Sequence, residues 1–437
     1  FERMGYDLTK VNKAQISYLA AYCQDVKRTT GQHPGGIVVI PSDYEVYDFT
    51  PIQYPADNMD ASWKTTHLDF HAIHDNVLKL DLLGHVDPMA LKMMGDMTGV
   101  DINSIPMNDK KVISIFSSPK ALKLNSNYLG VTNGALAIPE FGTNFVRGML
   151  DGTKPQSFSD LVILSGLSHG TDVYFGNAEE LIRNKVADLR GVIGCRDDIM
   201  TYLSAKGLPA KTAFAIMEDV RKGKKLKPEY VELMKDKGVP QYYIDSCNKI
   251  QYLFPKAHAT AYVMMAIRVG WFKVYRPLEF YATFFSVRAK QYDLETMMGG
   301  EKAIIRKLDE FKARRSGGIE QKLSPKEEEI DKTLTIALEM VERGYRCGNI
   351  DIYRSEASKF IVDHEKQSLI PPFTVVDGLG EAAAFTVLEE RKKTPFISVE
   401  DLVSRTKLNS QNVENLRRLG VFTDLPEKNQ LDIFDFC

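Results

Sequence analysis

Apolar positions near the start of the chain recur at helical spacing. Leu8, Val11, Ile16, Leu19 and Ala20 form an imperfect stripe that predicts a helix over residues 5–26. A polar, glycine-rich stretch from Lys27 to Gly36 follows. The β-branched run Ile37-Val38-Val39-Ile40 then reads as a strand stopped by Pro41. Two more strands are predicted from Trp63 to Phe70 and from Val77 to Leu83, with a histidine-rich turn between them, so residues 26–85 form a small mixed sheet. From Pro88 to about Gln291 the periodicity becomes mainly helical. Its longest element, Ala257 to Tyr275, is broken or kinked by Pro277. The charged, glycine-containing run Arg314-Arg315-Ser316-Gly317-Gly318 predicts a linker or surface excursion. After Pro371-Pro372 a compact helical segment runs to near Pro426, and a short tail ends the chain. No tandem repeat of 20 to 50 residues interrupts this order. The expected class is therefore α+β.

A length of 437 residues allows roughly two to four domains. With 44% hydrophobic and 26% charged residues and a formal net charge of −2, the chain is no bulk polycation, so contact with nucleic acid must come from local basic patches. Cys23, Cys195, Cys247, Cys347 and Cys437 lie far apart without C-x-x-C spacing and read as reduced cytosolic thiols, not as a zinc knuckle or disulfide framework. No apolar run is long enough for a membrane span, and Phe1-Glu2-Arg3-Met4 is no signal peptide. Because it opens without an initiator Met, the chain is expected to be a piece of something longer.

Candidate chemistry begins at Val77-Leu78-Lys79-Leu80-Asp81-Leu82-Leu83, where Lys79 and Asp81 share one face of a strand. Burying either charge alone would cost several kcal/mol, so a metal-bound phosphate would suit both, with Asp81 as metal ligand and Lys79 offsetting phosphate charge. An internal Lys-Asp pair satisfies the same pattern. In the preceding loop, Lys27, Arg28 and His33 stand among glycines that let backbone N–H groups approach a phosphate, although an ordinary turn is also glycine-rich. Asp69 is either a second metal carboxylate or a hydrogen-bonded structural one. His258 and Tyr262, four apart, share a helical face, although a lone Tyr on a long apolar helix is more often a core residue. Arg221, Lys222, Lys224 and Lys225 belong to the densest cationic run, which is either a DNA contact or a solvated loop. Gly378-Leu379-Gly380 leads directly into a helix former run, so free N–H groups at the positive helix end suit a backbone phosphate; a plain helix connection is the alternative. Arg391, Lys392 and Lys393 could add charge nearby. The terminal Gln430, Leu431, Ile433 and Phe434 place apolar anchors where a partner groove would be needed.

The run Arg28 to Gly36, together with Lys79 to His85, resembles the second palm segment of bacterial C-family replicative DNA polymerases. The stretches 138–142, 165–172, 194–198 and 254–262 look like the fingers of the PolC type, and the resemblance covers essentially the whole chain. It implies a DNA-directed DNA polymerase with a polymerase-β-like palm in which three aspartates bind two Mg²⁺ ions. Asp81 falls on the third of them, and no Asp-x-Asp pair precedes it, so the chain alone is expected not to polymerise. It further implies that dNTP packs against Ser165, Gly166, Ser168, His169, Arg196, Lys256, His258 and Tyr262. The turn at 378–380 would be the first hairpin of a duplex-binding helix-hairpin-helix; the region Leu408 to Gly420 lacks the paired glycines of a second. The tail resembles a sliding-clamp pentapeptide with Ile433 in place of the usual Leu.

The organisation so implied is the end of a thumb at 1–25, palm at 26–87, fingers at 88–290, duplex-binding domain at 291–427 and clamp tail at 428–437. Partners would be primer-template DNA, dNTP, the sliding clamp and other replisome subunits, in the bacterial cytoplasm at the nucleoid and with no membrane. Two rivals remain open on the residues alone: a non-catalytic DNA- and clamp-binding module, and a phosphotransferase acting on a small substrate at Lys79 and Asp81. The second leaves the hairpin and tail unexplained.

Overall fold

The computed structural model describes residues 10–24, 35–55, 58–67, 76–82, 84–317 and 322–429. They fall into two compact units divided between His85 and Val86, and the class is α+β, as expected.

In the first unit, α1 (Lys13–Tyr22) is shorter than its predicted span and opens with a capping box in which the Asn12 and Gln15 side chains each accept the other's backbone N–H. None of its residues is buried, so the stripe read from the sequence closes no core here. The sheet is two antiparallel ladders among the described residues. β1 (Gly36–Val39) pairs with β4 (Leu78–Asp81), and β2 (Ile52–Gln53) pairs with β3 (Thr65–Thr66). The register Ile37↔Leu80 and Val39↔Leu78 puts these four apolar side chains on one face, and all four are exposed. Lys79 and Asp81 share the opposite face, as the period-2 rule requires.

The second unit is helical with one small sheet. Its helices in order are α2 (Val86–Thr98), α3 (Lys110–Ser114), α4 (Asn144–Thr153), α5 (Phe158–His169), α6 (Glu179–Arg183), α7 (Arg196–Ala205), α8 (Ala210–Arg221), α9 (Pro228–Asp236) and α10 (Gln241–Lys249). Then come α11 (Lys256–Tyr275), α12 (Pro277–Val287), α13 (Leu294–Met298), α14 (Gly300–Ser316) and α15 (Pro325–Glu342). A three-stranded sheet in the order β5 (Arg346–Cys347), β7 (Ser368–Ile370), β6 (Ile361–Asp363) precedes α16 (Glu381–Lys393), α17 (Val399–Arg405) and α18 (Ser410–Arg418).

α11 is the axis of this unit. Val263, Ala266, Ile267, Gly270 and Phe272 are all buried along it, and Gly270 lets Ile115 and Val112 pack against the backbone. Pro277 does end this helix: Arg276 leaves helical geometry and the proline becomes the first residue of α12, where its missing N–H costs nothing. Packing runs without a break across residue 290. Lys273 of α11, fully buried, pairs with Glu339 of α15 at 2.8 Å and donates to the carbonyls of Gly134 and Leu136, while Tyr281 donates to the same carboxylate at 2.7 Å. The linker expected at 314–318 is instead largely helix. α14 continues to Ser316 because Arg314 pairs with Glu327, and Arg315 with Glu328 and Asp331, across the α14–α15 hairpin.

Candidate functional site

Three helix ends meet around the residues of 165–172, 194–198 and 254–262. α7 and α11 begin beside one another and exchange caps: the Arg196 N–H donates to the Phe254 carbonyl at 3.1 Å, and the Lys256 N–H donates to Asp197 Oδ2 at 2.8 Å. Asp198 accepts the Cys195 N–H at 2.8 Å and the Lys256 ammonium at 2.8 Å. Two helix N-termini, each a partial positive charge, thus share two carboxylates supplied by the first turn of α7. α5 approaches this corner closely because residue 166 is glycine; a β-carbon there would collide with the Gly194 carbonyl and the Cys195 sulfur.

At its C-terminal end α5 presents His169. One ring nitrogen, Nδ1, lies 2.7 Å from the Ser165 carbonyl, which can only accept, so that nitrogen carries a proton. The other, Nε2, lies 2.9 Å from Glu140 Oε2. A lone pair facing a carboxylate would repel it, and the geometry therefore favours the imidazolium. The hydrogen bond to Glu140 holds the His169 pKa above the ordinary imidazole value, against partial burial. Glu140 reaches this position from a left-handed backbone conformation (φ 67°), which costs a non-glycine residue roughly 1–2 kcal/mol. The His169 ring stacks on Phe254 with centroids 4.7 Å apart, His258 meets Phe254 edge-on at 4.6 Å, and Tyr262 lies 4.5 Å from His258. Desolvation first, then the neighbouring His169, push the His258 pKa down. The two neighbouring imidazoles are thereby pushed in opposite directions, His169 toward holding its proton and His258 toward losing it.

The cluster offers aromatic faces beside three cations: Lys256, Arg196 and His169. Each has a carboxylate partner, Arg196 the loosest at 3.9 Å from Asp197; a polyanion that took over Arg196 and Lys256 would leave Asp197 and Asp198 with the backbone N–H groups that they also accept. Of the sequence-predicted set, His169, Arg196, Lys256, His258 and Tyr262 are gathered here. Ser165 is not available as a direct contact: it is 1% exposed, and its carbonyl serves His169. Gly166 is enclosed in the α5–α7 approach, and the Ser168 hydroxyl donates to Ser165 at 2.9 Å. These three position the site from behind. Sequence reading assigned no role to Glu140, Phe254, Asp197 or Asp198. The acidic pair in the first turn of a helix was the one available signal for the last two. Cys195 is buried beside them, and burial pushes its thiol up to about 12, so it is no nucleophile.

In the first unit Lys79 and Asp81 pair with each other at 3.2 Å, with side chains 29% and 49% exposed. The premise of two buried charges calling for a ligand is thus corrected: solvent and the mutual pair compensate them. A half-exposed carboxylate at a strand end can still occupy one metal-ligand position. Among the described residues no group of three or more His, Cys, Asp or Glu side chains is arranged to hold a metal. Lys27, Arg28, His33 and Asp69 lie outside the described residues, as do Gln430, Leu431, Ile433 and Phe434.

The cationic run closes α8 and is partly neutralised. Arg221 forms two bonds of 2.8 and 2.9 Å with Glu218, Lys222 reaches the same carboxylate at 3.3 Å, and Lys224 lies 3.8 Å from Asp219. Arg221 holds the Glu218 pKa down to about 2. Lys225 has no such pair among the described residues.

At the predicted hairpin, Gly378 adopts φ 78° and Gly380 caps α16 with no side chain of its own, leaving the first N–H groups of that helix open. Leu379 is buried, so any contact it makes is through its backbone. α18 stands behind the turn: Asn412 donates to the Gly378 carbonyl at 3.0 Å and Asn415 to the Asp377 carbonyl at 3.1 Å. Where a second glycine pair was wanted, α18 instead starts with an Asn409–Asn412 capping box. Arg391 is committed to the Ile352 and Ser355 carbonyls and adds no free charge. No helix among the described residues is long and apolar enough to cross a membrane.

Comparison with known proteins follows the same division. Residues 4–84 match the bacterial DNA polymerase III alpha NTPase domain, residues 87–238 the bacterial DNA polymerase III alpha subunit finger domain, and residues 344–431 a helix-hairpin-helix motif. The chain is similar to the DNA polymerase III PolC-type of Oceanobacillus iheyensis, 50% identical over 96% of this chain, and to that of Bacillus subtilis, 51% identical over 96%. The corresponding protein of Staphylococcus aureus is 50% identical over 97%. In each case the chain spans 29% of the relative's length.

Proposed function

The chain belongs to the PolC-type bacterial DNA polymerase III family, and from that membership we propose that it supplies the fingers, one palm segment and the duplex-binding domain of a replicative, template-directed DNA polymerase. The observation that carries this reading is the meeting of α5, α7 and α11, which gathers the cations His169, Arg196 and Lys256 beside the rings of Phe254, His258 and Tyr262. A deoxynucleoside triphosphate needs both: π faces for the base and fixed cations for the phosphates. Incoming dNTP binds here, its phosphates displacing the carboxylates of Asp197 and Asp198 from Arg196 and Lys256, while His169 keeps its charge through Glu140. His258, its pKa pushed down by desolvation, and Tyr262 shape the apolar side of the site and exclude water.

When bound, two Mg²⁺ ions supply charge stabilisation for in-line attack by a primer 3′ hydroxyl on the α-phosphate. Asp81 fits one ligand position of such a pair, and Lys79 stands ready to offset phosphate charge once Asp81 turns to a cation. The other two carboxylates are assigned to the longer protein, and the chain alone is inactive. The segments 1–25, 26–87, 88–290, 291–427 and 428–437 correspond to the end of the thumb, palm, fingers, duplex-binding domain and clamp-binding tail. Primer-template backbone meets the open amides after Gly380 and the cations around Lys225, with Lys27, Arg28 and His33 reserved for phosphates. The tail engages a sliding clamp, and the protein works with other replisome subunits at the nucleoid in the cytoplasm.

A second reading, a DNA- and clamp-binding module without chemistry, is favoured for the chain in isolation by the well-formed hairpin backed by Asn412 and Asn415. Photocrosslinking tests the main reading. An azido-dATP bound to the full-length polymerase on primer-template DNA should label peptides within 165–198 or 252–262. Labelling confined to other peptides overturns it.

A further inference from the structure

Phe175 is 64% exposed, yet it is not a loose side chain. Phe175 (φ −64°, ψ 136°) and Gly176 (φ 66°, ψ 6°) are the two central residues of a type II turn, so the phenyl ring is held at a tip whose positive φ at the next position favours glycine. Phe145, 39% exposed at the start of α4, lies 5.1 Å from it, and Tyr174 closes the group at 5.5 Å from Phe175 and 6.0 Å from Phe145. Keeping such rings in water forgoes about 25 cal/mol for every Å² left unburied. A cation is built into the same turn: Lys249 donates to the Gly176 carbonyl at 2.7 Å. Three residues on, Tyr252 is 43% exposed, bridges in β fashion to Thr171, and lies within electrostatic reach of Arg221. Gly223 packs against Gln251, the residue before Tyr252, which brings Lys222, Lys224 and Lys225 to this edge. Rings and cations alternate along one border of the unit, and the cations outnumber the carboxylates Glu180, Glu218 and Asp219 that pair with them.

We propose that this border, Phe145–Tyr174–Phe175 continuing to Tyr252 and the Arg221–Lys225 turn, is a track for single-stranded nucleic acid. Bases stack on Phe175 and Tyr252, and the backbone runs along Lys249 and Lys224. Sequence-tolerant stacking beside a basic groove is how single strands are held without base readout. The track adjoins the nucleotide site through the Thr171–Tyr252 bridge and the Phe254–His169 stack, so the strand it holds is the unpaired template ahead of synthesis. That last assignment rests on the polymerase reading; the single-strand chemistry does not.

The test uses the whole 437-residue chain and fluorescence anisotropy with three probes: a 12-nucleotide oligo(dT), an abasic strand of equal length and charge, and a blunt duplex. Phe175→Ala and Tyr252→Ala should each weaken oligo(dT) binding roughly tenfold, with Phe175→Trp restoring it, while abasic-strand and duplex binding stay unchanged. Both side chains are exposed, so folding is preserved, and unchanged duplex binding verifies it. Equal losses on oligo(dT) and the abasic strand, or no loss at all, overturn the proposal, as does a Phe175→Ala variant that loses only association with another protein. Duplex binding without single-strand binding defeats the track but leaves the polymerase reading standing. Binding of neither probe defeats both.

Discussion

The Glu140 carboxylate lies 2.9 Å from His169 Nε2, and the opposite ring nitrogen of His169 is committed to a carbonyl, so one carboxylate on a strained turn sets the charge of the imidazole at the end of α5. Because the folded pKa of His169 is raised, the stabilisation from this pair is fully present below the ordinary imidazole value near 6.5 and is lost as pH rises through the raised folded value. Glu140→Gln should return the His169 titration toward the ordinary range and remove on the order of 1 kcal/mol of stability at acidic pH, with little effect well above neutrality. A ring-proton NMR titration of the two chains, with urea unfolding at pH 5.5 and 8.5, checks both parts.

Glu218 restrains two cations of the basic turn. Replacing it with Gln should free Arg221 and Lys222 for phosphate, tighten non-specific DNA binding and steepen its salt dependence by roughly one to two units of log K per log[salt]. Anisotropy titrations between low and moderate salt measure the slope, and an unchanged slope would mean that this turn does not meet DNA.

The two glycines of the hairpin make opposite demands. At Gly378 the backbone is left-handed, so Gly378→Ala should cost roughly 1–2 kcal/mol of stability and loosen the α16 N-terminus. A β-carbon at Gly380 would meet nothing within 4 Å, so Gly380→Ala should leave stability within about 0.5 kcal/mol of the parent. It should still weaken duplex binding, because the methyl stands where a phosphate approaches the open amides. Thermal unfolding and duplex binding of both variants separate the two effects.

Asp81→Asn in the full-length polymerase should abolish nucleotide incorporation while leaving primer-template affinity nearly intact, since Asn keeps the shape of the side chain but cannot share a divalent cation's charge. Persisting synthesis would remove Asp81 from the metal site.

Much of this architecture was legible in the chain. Period-2 alternation placed Lys79 and Asp81 on one face, the glycines at 378 and 380 announced a turn into a helix, and Pro277 marked the α11–α12 boundary. Burial was not legible. Local alternation shows which residues share a face but not whether anything covers it, so the Lys79–Asp81 face reads as buried, whereas these side chains are 29% and 49% exposed. Ser165 sits in a run of functional look, yet it is 1% exposed, and the glycine next to it admits the close approach of Gly194 and Cys195. Arg314 and Arg315 read as linker residues because their partners lie a helix away, at Glu327, Glu328 and Asp331. The Glu140–His169 pair, 29 residues apart, could be found only once α5 was seen to end against the 138–142 turn.

The central claim is that the α5–α7–α11 corner holds the incoming nucleotide. It is tested most directly by the dNTP dependence of single-turnover incorporation by the full-length polymerase carrying Lys256→Ala. The account predicts an apparent dNTP dissociation constant raised about tenfold or more, as for loss of a charge-assisted hydrogen bond, with primer-template affinity unchanged. An unaltered dNTP dependence, with Arg196→Ala equally silent, would contradict it.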